Sequence, residues 1–158
     1  MEGVSLRLRR SEATARVLTE VFGWAEVAQE GAVRRFAAPG SGMGAVVDLH
    51  EVSDAGAGRL GTGTVHHIAF RAADDAAQAA MVEKLVGLGL GVTEQKDRNY
   101  FRSVYFREPG GVLFEIATDD PGFAVDEAAG ELGTALKLPS FLEGRRTRIE
   151  EEVLPALA

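Results

Sequence analysis

Two short apolar stretches of the chain carry residue types that bind metal ions. Residues 65–70 include His66 and His67, two of only three histidines in the protein, and residues 105–116 include Glu115 in an otherwise apolar run. A carboxylate in such a run must face a cavity or meet a positive group, because burying it unpaired is costly. One imidazole and one carboxylate on neighbouring strands provide two of the three ligands of a facial metal site.

Strand alternation indicates which of these side chains can meet. In a strand over residues 64–71, His67 lies on one face and His66 on the other. In a strand over residues 112–117, Glu115 points to the concave side of the sheet, where His67 can reach it if the strands are neighbours. A lone strand histidine is commonly a structural hydrogen-bonding group, and a lone strand glutamate commonly lies at an edge. Their occurrence together favours metal binding by His67 and Glu115, with His66 as a supporting donor or a helix-side residue.

Two further residues are candidates for contact with a substrate. Tyr105 precedes Glu115 by ten residues on the preceding predicted strand. A tyrosine near a metal can donate a hydrogen bond or a proton to an oxyanion. Arg98 lies in a polar loop over residues 95–100, where it either binds an anionic substrate or is an ordinary surface residue.

The elements that must position these residues form a repeated unit. The motif Val-Val-Asp-Leu at 46–49 matches Leu-Phe-Glu-Ile at 113–116, 67 positions later. Each half of the repeat reads as strand, helix and three strands, with Ser11 capping the first helix and Asp74 or Asp75 the second. The predicted strands cover residues 4–8, 26–29, 33–37 and 43–51, then 64–71, 91–95, 101–106 and 112–117.

This pattern predicts an α+β fold of two βαβββ modules with strongly curved mixed sheets, followed by a helical C-terminal tail. Module 1 spans residues 1–53, a Gly/Ala-rich linker 54–63, module 2 with the metal-site candidates 64–118, and the tail 119–158. Ser140 is a candidate cap for the second tail helix. Each module can cover the apolar face of the other, and their free sheet edges suit a dimer.

Composition limits the classes of partner. A chain of 158 residues with a net charge of −7 and no basic stripe is unsuited to nucleic acid. Cysteine is absent, which excludes disulfides and thiolate chemistry. No apolar run approaches the ~18 residues that span a bilayer, and no signal pattern opens the chain, so we expect a cytoplasmic protein without a membrane partner.

The doubled unit and the two motifs resemble the vicinal oxygen chelate superfamily. That superfamily includes glyoxalase I, extradiol dioxygenases, epimerases and bleomycin-binding proteins. The similarity is greatest to the C-terminal half of ring-cleaving dioxygenases that act on hydroquinones, and residues 117–127 and 138–143 look like theirs too. The resemblance covers nearly the whole chain.

The resemblance implies Fe(II)-dependent cleavage of a hydroquinone-like aromatic ring by O2, with Mn, Ni or Zn as alternative divalent ions. His67 and Glu115 match a histidine and the glutamate of a two-histidine, one-carboxylate triad. His66 matches the adjoining histidine that supports the site. Tyr105 and Arg98 match the active-site tyrosine and arginine.

The chain departs from that family in length and in the third ligand. Full family members carry four modules, and their other metal histidine lies in the N-terminal half. In this chain Gly3 stands opposite His67 in the repeat, and Asp48 takes the place of Glu115 with no histidine beside it. The missing ligand is therefore expected from water, from Glu2, from a homodimer partner or from a missing N-terminal half.

Two alternative functions remain open from the sequence. A glyoxalase-like lyase or isomerase would use the same residues with Ni(II) or Zn(II). A non-catalytic drug-binding protein of the superfamily would use the cleft without a metal. The incomplete triad favours this last function, whereas the retained histidine, tyrosine and glutamate argue against it.

Overall fold

Two four-stranded mixed sheets of the same topology make up the larger part of the molecule. The computed structural model describes residues 3–40, 44–54, 56, 58 and 61–154. Contacts between residues divide the chain into two units, Met1–Asp120 and Pro121–Ala158. Both sheets lie in the first unit.

The first sheet has the strand order β1-β4-β3-β2, with β1 and β4 parallel and the other pairs antiparallel. Helix α1 (Glu12–Arg16) follows β1 and continues into a π-helical turn (Val17–Val21). The strands are β1 (Gly3–Leu8), β2 (Ala25–Glu30), β3 (Val33–Ala37) and β4 (Val46–Glu51).

The second sheet repeats this arrangement in the order β5-β8-β7-β6, again with its first and last strands parallel. Helix α2 (Asp75–Gly87) follows the first of these strands. The strands are β5 (Ile68–Ala72), β6 (Lys96–Asp97), β7 (Arg102–Arg107) and β8 (Leu113–Thr118). The predicted α+β architecture of two βαβββ modules is confirmed.

Aromatic rings join the two modules. Phe22, from the end of the first helical segment, stacks on Phe70 of β5 with ring centroids 4.1 Å apart. Trp24 meets the same ring edge-on at 5.6 Å. Phe70 in turn contacts Phe114 of β8. Burial of large apolar side chains contributes about 1.5–3 kcal/mol each, so this cluster favours a shared core over two separate ones.

A buried carboxylate joins the modules a second time. Glu108 is 2% exposed and opens the turn between β7 and β8. It accepts hydrogen bonds from the backbone N–H groups of Gly110 and Val112 at 2.9 and 2.8 Å, and from the hydroxyl of Thr14 on α1. These donors satisfy the buried charge and fix the turn that leads into β8.

The structure corrects the predicted start of the strand that carries the histidines. The prediction placed this strand at residues 64–71, but β5 begins at Ile68, so His66 and His67 lie just before it. Ile68 pairs with Phe114, the second residue of β8. In this register His67 stands opposite Leu113, the first residue of β8, so β8 offers only one more residue for pairing before Ile68.

A second correction concerns the strand predicted at residues 91–95. Only Val92 forms a bridge there, to Phe106, and the short strand β6 lies further on, inside the stretch predicted as a polar loop. Thr93 explains the interruption. Its backbone N–H donates to the carbonyl of Tyr105, but the N–H of Tyr105 donates at 3.0 Å to the Thr93 hydroxyl instead of to a carbonyl.

Of the three predicted helix N-caps, one forms a capping hydrogen bond. Asp74 caps α2, its side chain accepting from the N–H of Ala77 at 2.8 Å. Ser11 occupies the cap position of α1, but its hydroxyl donates to Glu51 and makes no capping bond. Ser140 is the first residue of its helix, after Pro139 in the cap position.

The second unit contains only short helical segments. They are two 3₁₀ turns (Phe123–Val125 and Ala129–Glu131), helices α3 (Ser140–Glu143) and α4 (Arg146–Arg148), and a π-helical turn (Ile149–Val153). No residue between 121 and 154 is buried. Across the described parts of both units, no helix has the length and apolar character to cross a bilayer.

Candidate metal and substrate site

The central residue of the candidate site is Glu115, in the middle of β8. It is 3% exposed. Its cross-strand neighbours are Tyr105 on β7 and Ala69 on β5. On the β5 side of Glu115 lies the small, solvent-exposed residue Ala69, and on the β7 side lies the aromatic ring of Tyr105. His67 approaches from the segment before β5.

Both oxygens of the Glu115 carboxylate have partners. The Tyr105 hydroxyl donates to Oε1 at 2.9 Å. His67 Nε2 lies 2.7 Å from Oε2. A carboxylate this deeply buried is stable only when such groups replace its hydration. The predicted proximity of His67, Tyr105 and Glu115 is therefore present, although His67 reaches Glu115 from a loop and not from a strand.

The two histidines contact each other through their other ring nitrogens. His66 Nδ1 and His67 Nδ1 are 2.9 Å apart, with the ring planes at 90°. One of these two nitrogens must carry a proton and the other must accept it. With Nδ1 engaged in this way, His67 presents Nε2 to Glu115. A neighbour that fixes the ring and its tautomer is typical of histidines that bind metal through one nitrogen.

Arg98 lies beside the tyrosine ring. Its guanidinium carbon is 5.7 Å from the ring centroid of Tyr105, within the range of a cation–π contact. The turn between β6 and β7 brings it there: the N–H of Arg98 donates to the carbonyl of Phe101, and Asn99 has a φ of 70°. All five residues singled out in the sequence thus lie in one connected group.

The equivalent place in the first sheet is an ion pair. Asp48 has the position of Glu115, and Arg35 lies opposite it as Tyr105 lies opposite Glu115. Two hydrogen bonds of 2.8 Å join Arg35 to Asp48 and hold the pKa of the Asp48 carboxyl below its ordinary value. Because the guanidinium of Arg35 already neutralises this carboxylate, a metal ion would add little further stabilisation.

Gly3 takes the place of His67 in this first module. A Cβ atom at position 3 would collide with the carbonyl oxygen of Val46 and lie 2.8 Å from the Val46 Cβ. Glu2, a possible ligand in the sequence, lies outside the described residues. The first module therefore offers neither a histidine nor room for one at this strand position.

The donor atoms of His67 and Glu115 fit a metal ion in type, because an imidazole nitrogen and a carboxylate oxygen both bind divalent transition metals. The two atoms, Nε2 and Oε2, lie 2.7 Å apart. Within the described part of the chain, no group of three or more His, Cys, Asp or Glu residues is arranged to hold a metal. The described residues therefore offer two candidate ligands.

Sequence reasoning missed one polar residue of this group. Ser103 is fully buried on β7, two residues before Tyr105, and its hydroxyl lies 3.3 Å from the Tyr105 hydroxyl. Residues two apart on a strand share a face. The alternation that placed Tyr105 beside Glu115 would also have placed Ser103 beside Tyr105.

The chain is similar in sequence to known proteins. The chain is 47% identical over 158 residues to "Putative ring-cleaving dioxygenase MhqE" of Bacillus subtilis, covering 99% of this chain and 50% of that protein. It is 36% identical over 150 residues to "Chlorohydroquinone/hydroquinone 1,2-dioxygenase" of Sphingobium indicum, covering 93% of this chain and 45% of that protein. The chain spans about half the length of these relatives.

A solved structure shares the fold. The crystal structure of a protein from Bacillus subtilis described as "putative dioxygenase" superposes with a TM-score of 0.85 at 44% identity, covering 96% of this chain and 48% of the other. The family model described as "Glyoxalase/Bleomycin resistance protein/Dioxygenase superfamily" matches residues 3–116, which include both sheets except the last two residues of β8, and all five candidate residues. The chain therefore belongs to the glyoxalase/bleomycin resistance protein/dioxygenase superfamily.

Proposed function

We propose that this chain is the metal-binding part of an Fe(II)-dependent dioxygenase that opens hydroquinone-like aromatic rings. One observation carries the proposal: His67 Nε2 and the Tyr105 hydroxyl both meet the buried carboxylate of Glu115. Burial of this carboxylate beside an imidazole suits a cation better than it suits a metal-free core. The names of the relatives supply the reaction class.

His67 and Glu115 would hold the ion, through Nε2 and Oε2. A bound divalent ion supplies a Lewis-acidic centre with open positions for substrate and O2. Imidazole and carboxylate ligands suit Fe(II) and do not by themselves distinguish it from Mn, Ni or Zn. Nδ1 of His66 would accept a hydrogen bond from the protonated Nδ1 of His67, which leaves Nε2 of His67 unprotonated and available to the ion.

Tyr105 and Arg98 would act on the substrate. In the metal-free site the Tyr105 proton is directed to Glu115. Once the Glu115 charge is shared with an ion, that proton can be offered to an oxygen of the substrate. Arg98, beside the same ring, would attract an anionic oxygen into the site.

The remaining ligand would come from a second pair of modules. That pair is either another copy of this chain, as a homodimer, or the half of the relatives that this chain does not match. The tail supports a partner of this kind, because it exposes large apolar side chains such as Phe141, which is 79% exposed. Such residues are usually covered in an assembly.

The first experiment measures iron in the chain after anaerobic purification with Fe(II). We expect about one iron per chain in the wild type, and loss of iron from His67→Ala and Glu115→Gln. Matched controls replace the third histidine, His50→Ala, and the equivalent carboxylate of the first sheet, Asp48→Asn; both should retain iron. A folded Glu115→Gln protein that still holds iron refutes the site, and a wild type that holds none excludes a site completed by water or by a second copy of this chain.

Oxygen uptake with hydroquinone tests the reaction. The iron-loaded protein should consume O2 in proportion to the fraction of assembled dimer, measured by analytical ultracentrifugation. An iron-loaded dimer that converts a carbonyl substrate without O2 would instead indicate a lyase or isomerase. The two-ligand arrangement within the described residues also suits a metal-free binding protein. Saturable binding of an aromatic compound in the presence of a chelator, without iron retention, would establish that function.

A further inference from the structure

Ser103 is a buried polar residue that neither metal binding nor substrate contact explains. It is fully buried on β7, between Lys96 of β6 and Ala117 of β8. Its hydroxyl cannot turn to water. The polar side-chain atom in contact with it is the Tyr105 hydroxyl, at 3.3 Å. We propose that Ser103 is a positioning residue that fixes the hydroxyl of Tyr105 and, through it, the orientation of Glu115; this inference rests on the proposed function.

The direction of the hydrogen bonds follows from the protons available. Tyr105 has one hydroxyl proton, and Glu115 Oε1, 2.9 Å away, is an acceptor when the carboxylate is ionised. The tyrosine proton is therefore directed to Glu115. The Tyr105 oxygen can then only accept from Ser103, which donates its own proton. The chain of donors runs from Ser103 to Tyr105 to Glu115.

This chain determines which carboxylate oxygen faces the histidine. With Oε1 held by Tyr105, Glu115 presents Oε2 to Nε2 of His67. Rotation of the Tyr105 hydroxyl away from Oε1 would leave either carboxylate oxygen free to face His67. The Ser103 contact of 3.3 Å is longer than the usual ~2.7–2.8 Å between hydroxyls, so its effect should be a few-fold change and not an abolition of binding.

A double-mutant cycle on Mn(II) affinity, measured by calorimetry, tests the link. Ser103→Ala should weaken Mn(II) binding about two- to fivefold, as expected for loss of one weak neutral hydrogen bond. Tyr105→Phe should weaken it at least as much. The double variant should match Tyr105→Phe alone, and Ser103→Thr, which retains a hydroxyl, should restore binding. Additive effects of the two substitutions would overturn the inference.

A metal-free measurement separates this inference from the proposed function. Protein labelled with ¹³Cζ-tyrosine gives two signals, from Tyr100 and Tyr105, which Tyr105→Phe assigns. Ser103→Ala should shift the Tyr105 signal and leave that of Tyr100 in place. An unshifted Tyr105 signal overturns the role of Ser103, whether or not metal binds. A wild type that binds no Mn(II) or Fe(II) overturns metal binding by this chain or its homodimer, and with it the effect of Ser103 on a metal.

Discussion

Replacement of Glu108 by glutamine should strongly destabilise the protein. Its carboxylate accepts from three donors: the N–H groups of Gly110 and Val112 and the hydroxyl of Thr14. A glutamine amide has one acceptor oxygen, so in either orientation its NH₂ group faces a backbone N–H that cannot turn away. The turn into β8 and its contact with α1 are both affected.

The magnitude follows from those three bonds. Hydrogen bonds to a charged group contribute about 1.5–3 kcal/mol each, and a buried donor left unsatisfied costs about 1–3 kcal/mol. Glu108→Gln leaves one N–H unsatisfied and makes the remaining bonds neutral, so we expect a loss of about 2–4 kcal/mol. That is a large part of the roughly 5–15 kcal/mol that stabilises a typical domain.

Urea unfolding followed by fluorescence of the single tryptophan, Trp24, measures the change, because Trp24 lies in the aromatic cluster between the modules. Thr14→Val should cost about 1–2 kcal/mol by removing one donor, and its effect should be smaller in the Glu108→Gln background. Glu94→Gln, an exposed glutamate, is the matched control and should leave the midpoint unchanged. A free energy of unfolding within about 1 kcal/mol of the wild type for Glu108→Gln would refute the reasoning.

Three further predictions concern the two modules. Because Arg35 lowers the pKa of Asp48, the ion pair stabilises the folded state above the unfolded-state pKa of about 3.9, and this stabilisation is lost as pH falls through the lower folded-state pKa. The difference in unfolding midpoint between wild type and Asp48→Asn should therefore be constant near neutrality and should disappear in acid. Phe70→Ala should cost about 3–5 kcal/mol in chemical denaturation by leaving a cavity beside Phe22, and a cost below about 1 kcal/mol would contradict a shared core. Gly3→Ala should lower the thermal midpoint, because its Cβ would collide with backbone of β4; an unchanged midpoint would mean that β1 can shift without cost.

The repeat made most of the fold predictable. Turn residues, alternating strands and two helical segments were all visible in the sequence, and the match of residues 46–49 to 113–116 placed the last strand of each module correctly. The two strand boundaries that were predicted wrongly, at residues 64–71 and 91–95, depend on how far the neighbouring strand can pair. Before Ile68 the partner strand β8 extends by only one residue, and Thr93 substitutes its hydroxyl for a carbonyl; local sequence encodes neither feature.

The candidate site was predictable to the extent that side-chain alternation determines it. Glu115 and Tyr105 meet across strands as alternation requires, whereas His67 meets Glu115 from a loop whose path the sequence did not give. Ser103 was overlooked because a serine in a strand carries no signal until its burial is known. A third ligand could not be assigned, because the described residues offer only two candidates, His67 and Glu115.

The ion pair between Arg35 and Asp48 has a consequence for the stoichiometry of the protein. Two modules with the same topology could in principle recruit two cations, one at each central carboxylate. In the first module the cation is covalently part of the chain, as a guanidinium on the neighbouring strand. The duplicated scaffold is thus asymmetric: the central carboxylate of the first sheet is neutralised by the chain itself, and the proposed binding of a cation from solution would occur at one of the two sheets, giving one ion per chain.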